Sequence, residues 1–112
     1  QHFAAAAKVY AAAWKQQGYK ILERNYEPPV GEIDLVARQG KILVVVEVKT
    51  RRGSSFGAPQ DAVHPGKQGR LRRLADYYLK AKRLTGSPVR FDVVAVTLAG
   101  DEPQVEIIQN AF

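Results

Sequence analysis

Residues 30–50 form two β-rich runs, VGEIDLVAR and KILVVVEVKT, and this pattern constrains the fold more than any other part of the chain. Only Gln39-Gly40 separates the two runs, and a short break containing glycine predicts a β-hairpin. A two-residue loop at Gln39-Gly40 pairs Arg38 with Lys41 and thereby sets the register of the remaining pairs. The sequence therefore predicts a sheet built around this hairpin.

The predicted register places four charged side chains on one face of the hairpin. Glu32 falls opposite Glu47, and side chains alternate between the two faces along each strand. The residues predicted on the charged face are Glu32, Asp34, Glu47 and Lys49. The apolar residues predicted on the other face are Ile33, Leu35, Val44, Val46 and Val48.

Three carboxylates and one lysine in so small an area carry an electrostatic cost. Two like charges about 5 Å apart repel each other by roughly 3 kcal/mol at an effective dielectric constant near 20. A divalent cation offsets this repulsion, and carboxylate oxygens are the ligands that Mg²⁺ prefers. Without metal, removal of one carboxylate by Glu47→Gln is expected to stabilise the fold. The alternative is an exposed polar sheet face whose charges are separated by water.

The spacing of these residues fits the D…ExK pattern of metal-dependent nucleases. Glu47 lies thirteen positions after Asp34, and Lys49 follows Glu47 by two. In that pattern Asp34 and Glu47 hold Mg²⁺ or Mn²⁺, helped by the backbone carbonyl of Val48. The metal activates a water and polarises the phosphate. Lys49 orients or deprotonates that water, or stabilises charge on the phosphate.

The net charge of +6 is unevenly distributed along the chain. Residues 51–90 contain ten Lys or Arg against two Asp or Glu, whereas residues 91–112 contain four acidic residues and no Lys or Arg. Such a basic segment is typical of proteins that bind nucleic acid, although a solvated helix face has the same composition. We expect DNA rather than RNA. The candidates for phosphate contact are Arg51, Arg52, Lys67, Arg70 and Arg73.

Two helices and further strands complete the predicted fold. Apolar residues at helical spacing predict helices over residues 3–17 and 67–84. Tyr77 and Tyr78 offer rings for stacking on bases, but the spacing of Tyr78 favours the core. The additional predicted strands are residues 19–26, 89–98 and 105–108. The order α-β-β-β-α-β-β predicts an α/β fold with a mixed central sheet flanked by helices.

The length of the chain fits one domain, residues 1–112, with one core. Cysteine is absent, which excludes disulfides and thiolate metal sites. Its absence favours a reducing compartment, so we expect the cytoplasm. No apolar run approaches the roughly 20 residues needed to span a bilayer. We therefore expect no membrane partner.

Several strings in the chain resemble the YraN-like family of small bacterial proteins. They are GEIDLVAR, VVVEVKTR, GAPQDAVHPGKQGRL, RFDVV and the terminal NAF. This family is similar to archaeal Holliday-junction resolvases, within the restriction-endonuclease-like fold of the PD-(D/E)xK superfamily. The resemblance implies metal-dependent hydrolysis of DNA, with branched DNA as an expected form, and a homodimer as an expected assembly. It assigns the nuclease positions to Asp34, Glu47 and Lys49, and it places Glu32 in the same signature.

One difference from the family pattern supports another function. The resemblance implies a site glutamate in the first helix, but the first acidic residue here is Glu23, which lies beyond that helix. This difference favours a nucleic-acid-binding or adaptor module that keeps the nuclease fold without turnover. A protein that only binds other proteins is a third alternative, supported by the acidic C-terminal segment.

Overall fold

The computed structural model describes residues 18–27, 31–52, 65–98 and 103–112, together with Ala12 and Gln16. Their elements are β1 (Tyr19–Tyr26), β2 (Ile33–Gln39), β3 (Ile42–Arg52), α1 (Pro65–Ala81), β4 (Val89–Leu98) and β5 (Pro103–Ile108). The predicted helix over residues 3–17 lies outside the described residues, apart from Ala12 and Gln16, which are helical.

The five strands form one mixed sheet in the order β1-β2-β3-β4-β5. Neighbouring strands are antiparallel except β3 and β4, which are parallel. A parallel pair needs a crossover connection, and α1 lies in that connection. The predicted α/β fold with a mixed sheet is therefore confirmed. No helix in the described ranges is long and apolar enough to cross a membrane.

Apolar side chains are buried on both faces of the sheet. On one face, α1 packs Leu71, Leu74 and Tyr78 against the strands. The sheet residues of this first cluster are Ile33, Val36, Leu43, Val45, Phe91 and Val93. The buried residues of the second cluster, on the other face, are Tyr19, Leu35, Ala37, Val44, Val46, Val94 and Val96. A strand with both faces covered is apolar at successive positions, which explains the run ILVVV in β3.

Helix α1 begins and ends earlier than predicted. It begins at Pro65, a residue suited to the first helical turn, and it ends at Ala81. Arg83 has a positive φ of 58°. Its N–H donates to the carbonyl of Lys80 at 3.3 Å, and Leu84 N–H donates to Leu79 at 2.7 Å. These two bonds form a Schellman cap, so the helix ends before the predicted stop at Gly86-Ser87-Pro88.

The hairpin turn lies one residue later than predicted. Gln39 pairs with Ile42, so Gly40 and Lys41 form the two-residue turn. Gly40 has a φ of 59°, which is the positive φ that a type II′ turn requires at its first position. This requirement places glycine first in the turn. The prediction that Arg38 pairs with Lys41 was therefore wrong.

This shift of two residues in pairing keeps most side chains on their predicted faces, because side chains alternate with period two. The exception is the start of β2, where Ile33 packs with the first cluster and Leu35 with the second. Regular alternation therefore breaks at Asp34, next to Leu35, which is the first residue of β2 that pairs with β3. Glu32 precedes β2, so its predicted place opposite Glu47 in the hairpin was wrong.

Candidate active site

Asp34 lies where the pairing between β2 and β3 ends. Its carboxylate accepts a hydrogen bond from the backbone N–H of Val48, with 2.9 Å between Oδ2 and N. In a regular antiparallel pair, the N–H of Val48 would donate to a backbone carbonyl of the neighbouring strand; here the carboxylate of Asp34 is the acceptor instead. A hydrogen bond to an ionised acceptor is among the stronger ones in proteins. The carboxylate of Asp34 is therefore held beside β3 before any ligand binds.

Glu47 places a buried carboxylate within β3. Its side chain is 5% exposed, and Nζ of Lys49 lies 3.7 Å from its Oε2. Nζ of Lys67, which comes from α1, forms an ion pair with the same oxygen. Burial of a charge is costly unless the charge is paired. The two lysines therefore stabilise the buried carboxylate of Glu47.

Lys67 links helix α1 to the charged residues of the sheet. Burial lowers the pKa of Lys67, but the hydrogen bond to Glu47 and the negative charge of Glu47 outweigh it, so the pKa lies above its ordinary value. Lys67 is therefore protonated at neutral pH. The formal charges of the group sum to zero, because it contains two carboxylates, Asp34 and Glu47, and two lysines, Lys49 and Lys67. The sequence instead predicts three carboxylates with one lysine.

Glu32 is exposed and lies at the edge of this group. Its pKa is raised above the ordinary value, first by desolvation of the carboxylate and then by the negative charge of Asp34. Glu27 and Glu47 raise the pKa of Glu32 further. Glu32 is therefore repelled by neighbouring carboxylates, whereas the negative charge of Glu47 is neutralised by its ion pairs with two lysines.

The five predicted phosphate contacts fall into three groups. Arg51 and Arg52 are the last two residues of β3, and their side chains lie outside the described part of the chain. Arg70 and Arg73 are exposed on α1. Lys67 is half-buried and ion-paired with a carboxylate, so it belongs to the charged group of the sheet.

Asp34 and Glu47 supply the hard oxygen donors that Mg²⁺ and Mn²⁺ bind. Among the described residues, no group of three Asp, Glu, His or Cys side chains forms a metal site by itself. Mg²⁺ is usually held by one or two carboxylates and completes its shell with water and substrate phosphates. The donor chemistry of Asp34 and Glu47 is therefore the kind that such an ion uses. A ligand role for the Val48 carbonyl stays a prediction.

A second polar group lies on the face opposite α1 and has a structural role. Asp92 is fully buried and accepts two hydrogen bonds from Arg90, at 2.9 and 3.0 Å. Asn110 N–H donates to Asp92 at 2.9 Å, and Arg90 also donates to Gln39 at 2.8 Å and to Tyr19. These bonds tie β4 to the C-terminal segment and to both strands of the β1–β2 pair.

The mixed sheet, with one helix after three strands, defines the α/β core of the restriction-endonuclease-like proteins. The model of the uncharacterised protein family UPF0102 matches residues 6–96. The UPF0102 protein of Moorella thermoacetica is 53% identical over 104 residues, which cover 91% of this chain and 87% of the relative. The UPF0102 protein of Syntrophotalea carbinolica is 50% identical over 104 residues, which cover 93% of this chain and 85% of the relative. The chain belongs to the UPF0102 family, which is the YraN-like family.

Proposed function

We propose that the protein is a metal-dependent nuclease that hydrolyses phosphodiester bonds in DNA. The observation that carries this proposal is the buried carboxylate of Glu47, which forms ion pairs with Lys49 and Lys67 and directly precedes Val48, whose backbone N–H donates to Asp34. Buried charge of this kind is costly, and clusters of interacting titratable groups are concentrated at functional sites. The proposed substrate is DNA, including branched DNA.

Each residue of the group has a role in this reaction. Asp34 and Glu47 would hold Mg²⁺ or Mn²⁺, which supplies Lewis-acid polarisation of the phosphate and a more acidic water. Lys49 is half-buried and its Nζ lies 3.7 Å from Glu47, where an ammonium group neutralises charge that develops on phosphate oxygens. The hydrogen bond from Val48 keeps the Asp34 carboxylate in place, so little order has to be gained on binding.

The charge balance also favours a polyanionic substrate. Two carboxylates and two lysines sum to zero, so a divalent cation would give the group a net charge of +2. Phosphates of DNA neutralise that excess, and the basic residues of α1 add to the attraction. The proposed site therefore binds metal and DNA phosphate more favourably together than separately.

A nucleic-acid-binding module without turnover is the second candidate. Lys67 pairs with Glu47 and satisfies its carboxylate without a metal. The described residues also contain no group of three metal-binding side chains. Both observations fit a site in which an ion pair has replaced a metal. The two candidates differ in one property, which is metal-dependent cleavage.

The test is a cleavage assay on single-stranded, duplex, flap and four-way-junction DNA. Each substrate is incubated with the protein in Mn²⁺, in Mg²⁺ and in chelator. We expect cleavage only with metal. Lys49→Met removes the ammonium group and should slow cleavage by about 10²–10⁴-fold. Glu47→Gln should abolish it.

Glu106→Gln is the matched control, because Glu106 is an exposed carboxylate on β5. It should cleave at the wild-type rate. Wild-type protein that binds DNA but cuts none of the substrates in either metal would establish the binding module instead. Cleavage that survives Glu47→Gln would place the reaction elsewhere in the chain.

A further inference from the structure

Helix α1 carries an exposed aromatic ring within a row of cations. Tyr77 is 43% exposed, and it is the only large hydrophobic side chain exposed among the described residues. Arg70, Arg73 and Lys80 are also exposed on α1. Their spacing from Tyr77 is seven, four and three residues, which puts all four side chains on one stripe of the helix. Arg70, Arg73, Tyr77 and Lys80 are called the α1 stripe below.

Residues next to the stripe on α1 make ring contacts that stabilise the fold. Among the described residues, the stripe residues make no such contacts. Tyr78, the next residue, is buried in the first cluster and packs edge-on against Tyr26 at 5.0 Å. Arg72 lies over the rings of Phe91 and Phe112, at 5.6 and 5.3 Å. The arginines of the stripe have no carboxylate partner among the described residues, and both side chains are exposed.

The stripe begins beside the proposed active site. Lys67 pairs with Glu47 and lies one helical turn before Arg70. On the other side, a Cβ added to Gly31 would lie 3.7 Å from Cδ of Arg70, so Arg70 is next to the segment that leads into Asp34. The ten residues from Arg70 to Lys80 span about 15 Å along the helix. The stripe therefore leads away from the site over the length of a few nucleotides.

We infer that the α1 stripe binds unpaired DNA next to the bond that is cut, with Tyr77 stacking on a base. This inference rests on the proposed function and specifies its substrate. Cations that track a backbone, together with an aromatic ring that stacks on bases, are the combination that binds single strands. In a duplex, neighbouring pairs cover the face of each base, so only an unpaired base offers its face to Tyr77.

Four proteins test the inference: wild type, Tyr77→Ala, Tyr77→Leu and Tyr77→Phe. Their dissociation constants are measured in chelator on a thymidine oligonucleotide and on a mixed-sequence duplex. Loss of one stacked base weakens binding by about 5- to 150-fold. We expect that loss on the single strand for Tyr77→Ala and Tyr77→Leu, with duplex binding unchanged. Tyr77→Phe keeps the ring and should bind like wild type.

The cations are tested by their salt dependence. Arg70→Ala and Arg73→Ala should each reduce the slope of log affinity against log salt by about 0.7 on a single strand. Lys20→Ala is the matched control, because Lys20 is an exposed lysine on the edge strand β1. It should leave the slope unchanged. Since Tyr77 is exposed, all variants should keep the wild-type melting temperature.

The outcomes separate the stripe from the nuclease. The protein could cleave DNA while Tyr77→Ala weakens single-stranded and duplex binding equally. That result would overturn the inference and leave the proposed function in place. Selective loss of single-strand binding, in a protein that cuts no DNA, would support the stripe and overturn the nuclease. Binding of the thymidine oligonucleotide that is the same in wild type, Tyr77→Ala and Tyr77→Leu would also overturn the inference.

Discussion

Glu47→Gln should destabilise the metal-free protein. The substitution removes the negative charge that Lys49 and Lys67 share and leaves both ammonium groups close to a neutral amide. The sequence alone predicts the opposite sign, because it places Glu47 among two other carboxylates and contains no signal that Lys67 reaches it. The sign of this effect therefore tests the ion pairs of the structure.

The expected magnitude follows from the burial of the partners. Removing one partner of a fully buried ion pair costs about 3–5 kcal/mol, and exposed pairs contribute about 0–1 kcal/mol. Glu47 is 5% exposed, but the side chains of Lys49 and Lys67 are 30% and 34% exposed and regain water. We therefore expect a loss between these two limits, about 1–3 kcal/mol, which is also the cost of leaving a buried polar group without its partner. For a chain of 112 residues, this lowers the melting temperature by about 4–12 °C.

The assay is thermal unfolding in chelator at neutral pH, followed by circular dichroism. Glu106→Gln removes an exposed carboxylate and should change the stability by less than about 0.5 kcal/mol. A melting temperature of Glu47→Gln equal to or above that of wild type would refute the reasoning, because it would mean that the lysines do not stabilise the buried carboxylate.

Four further substitutions test the structure. Gly31→Ala should lower the free energy of unfolding by about 1–3 kcal/mol, because Gly31 has a φ of 154° and the added methyl would lie 3.2 Å from Leu74. Gly69→Ala, within α1, should instead raise it by about 0.5–1 kcal/mol. Chemical denaturation measures both changes. Burial, followed by the charge of Glu23, raises the pKa of Tyr78 to about 12. The folded state therefore holds this proton more tightly, so stability should fall as the pH rises from about 10 towards 12, and Tyr78→Phe should reduce that slope in melting curves. Lys67→Met should lower the melting temperature in chelator and enlarge the rise that Mn²⁺ produces, because one of the two lysines that compete with the metal for the Glu47 carboxylate is then absent.

The sequence predicted the elements of the sheet because their patterns are local. The runs of β2 and β3 are long, apolar and separated by a turn that contains glycine, and β1 and β4 match their predicted ranges. The hairpin register was not predictable with the same accuracy, since both Gln39-Gly40 and Gly40-Lys41 are acceptable two-residue turns. The conformational demand of Gly40 at the first turn position decides between them.

The candidate site was only partly predictable for a different reason. Glu47 and Lys49 lie on one strand, so their shared face follows from alternation. Lys67 comes from α1, and its approach to Glu47 depends on how the helix packs on the sheet, which no local pattern specifies. The break in alternation at Asp34 likewise depends on a hydrogen bond to another strand, from Val48.

Direct titration of the protein with Mn²⁺, followed by the electron paramagnetic resonance signal of the free ion, tests the central claim. If Asp34 and Glu47 hold a catalytic metal, the wild-type protein should bind Mn²⁺, and Asp34→Asn and Glu47→Gln should each lose that binding while Glu106→Gln keeps it. A wild-type protein that binds no Mn²⁺, even in the presence of DNA, would contradict the account. So would binding that is equal in all four proteins.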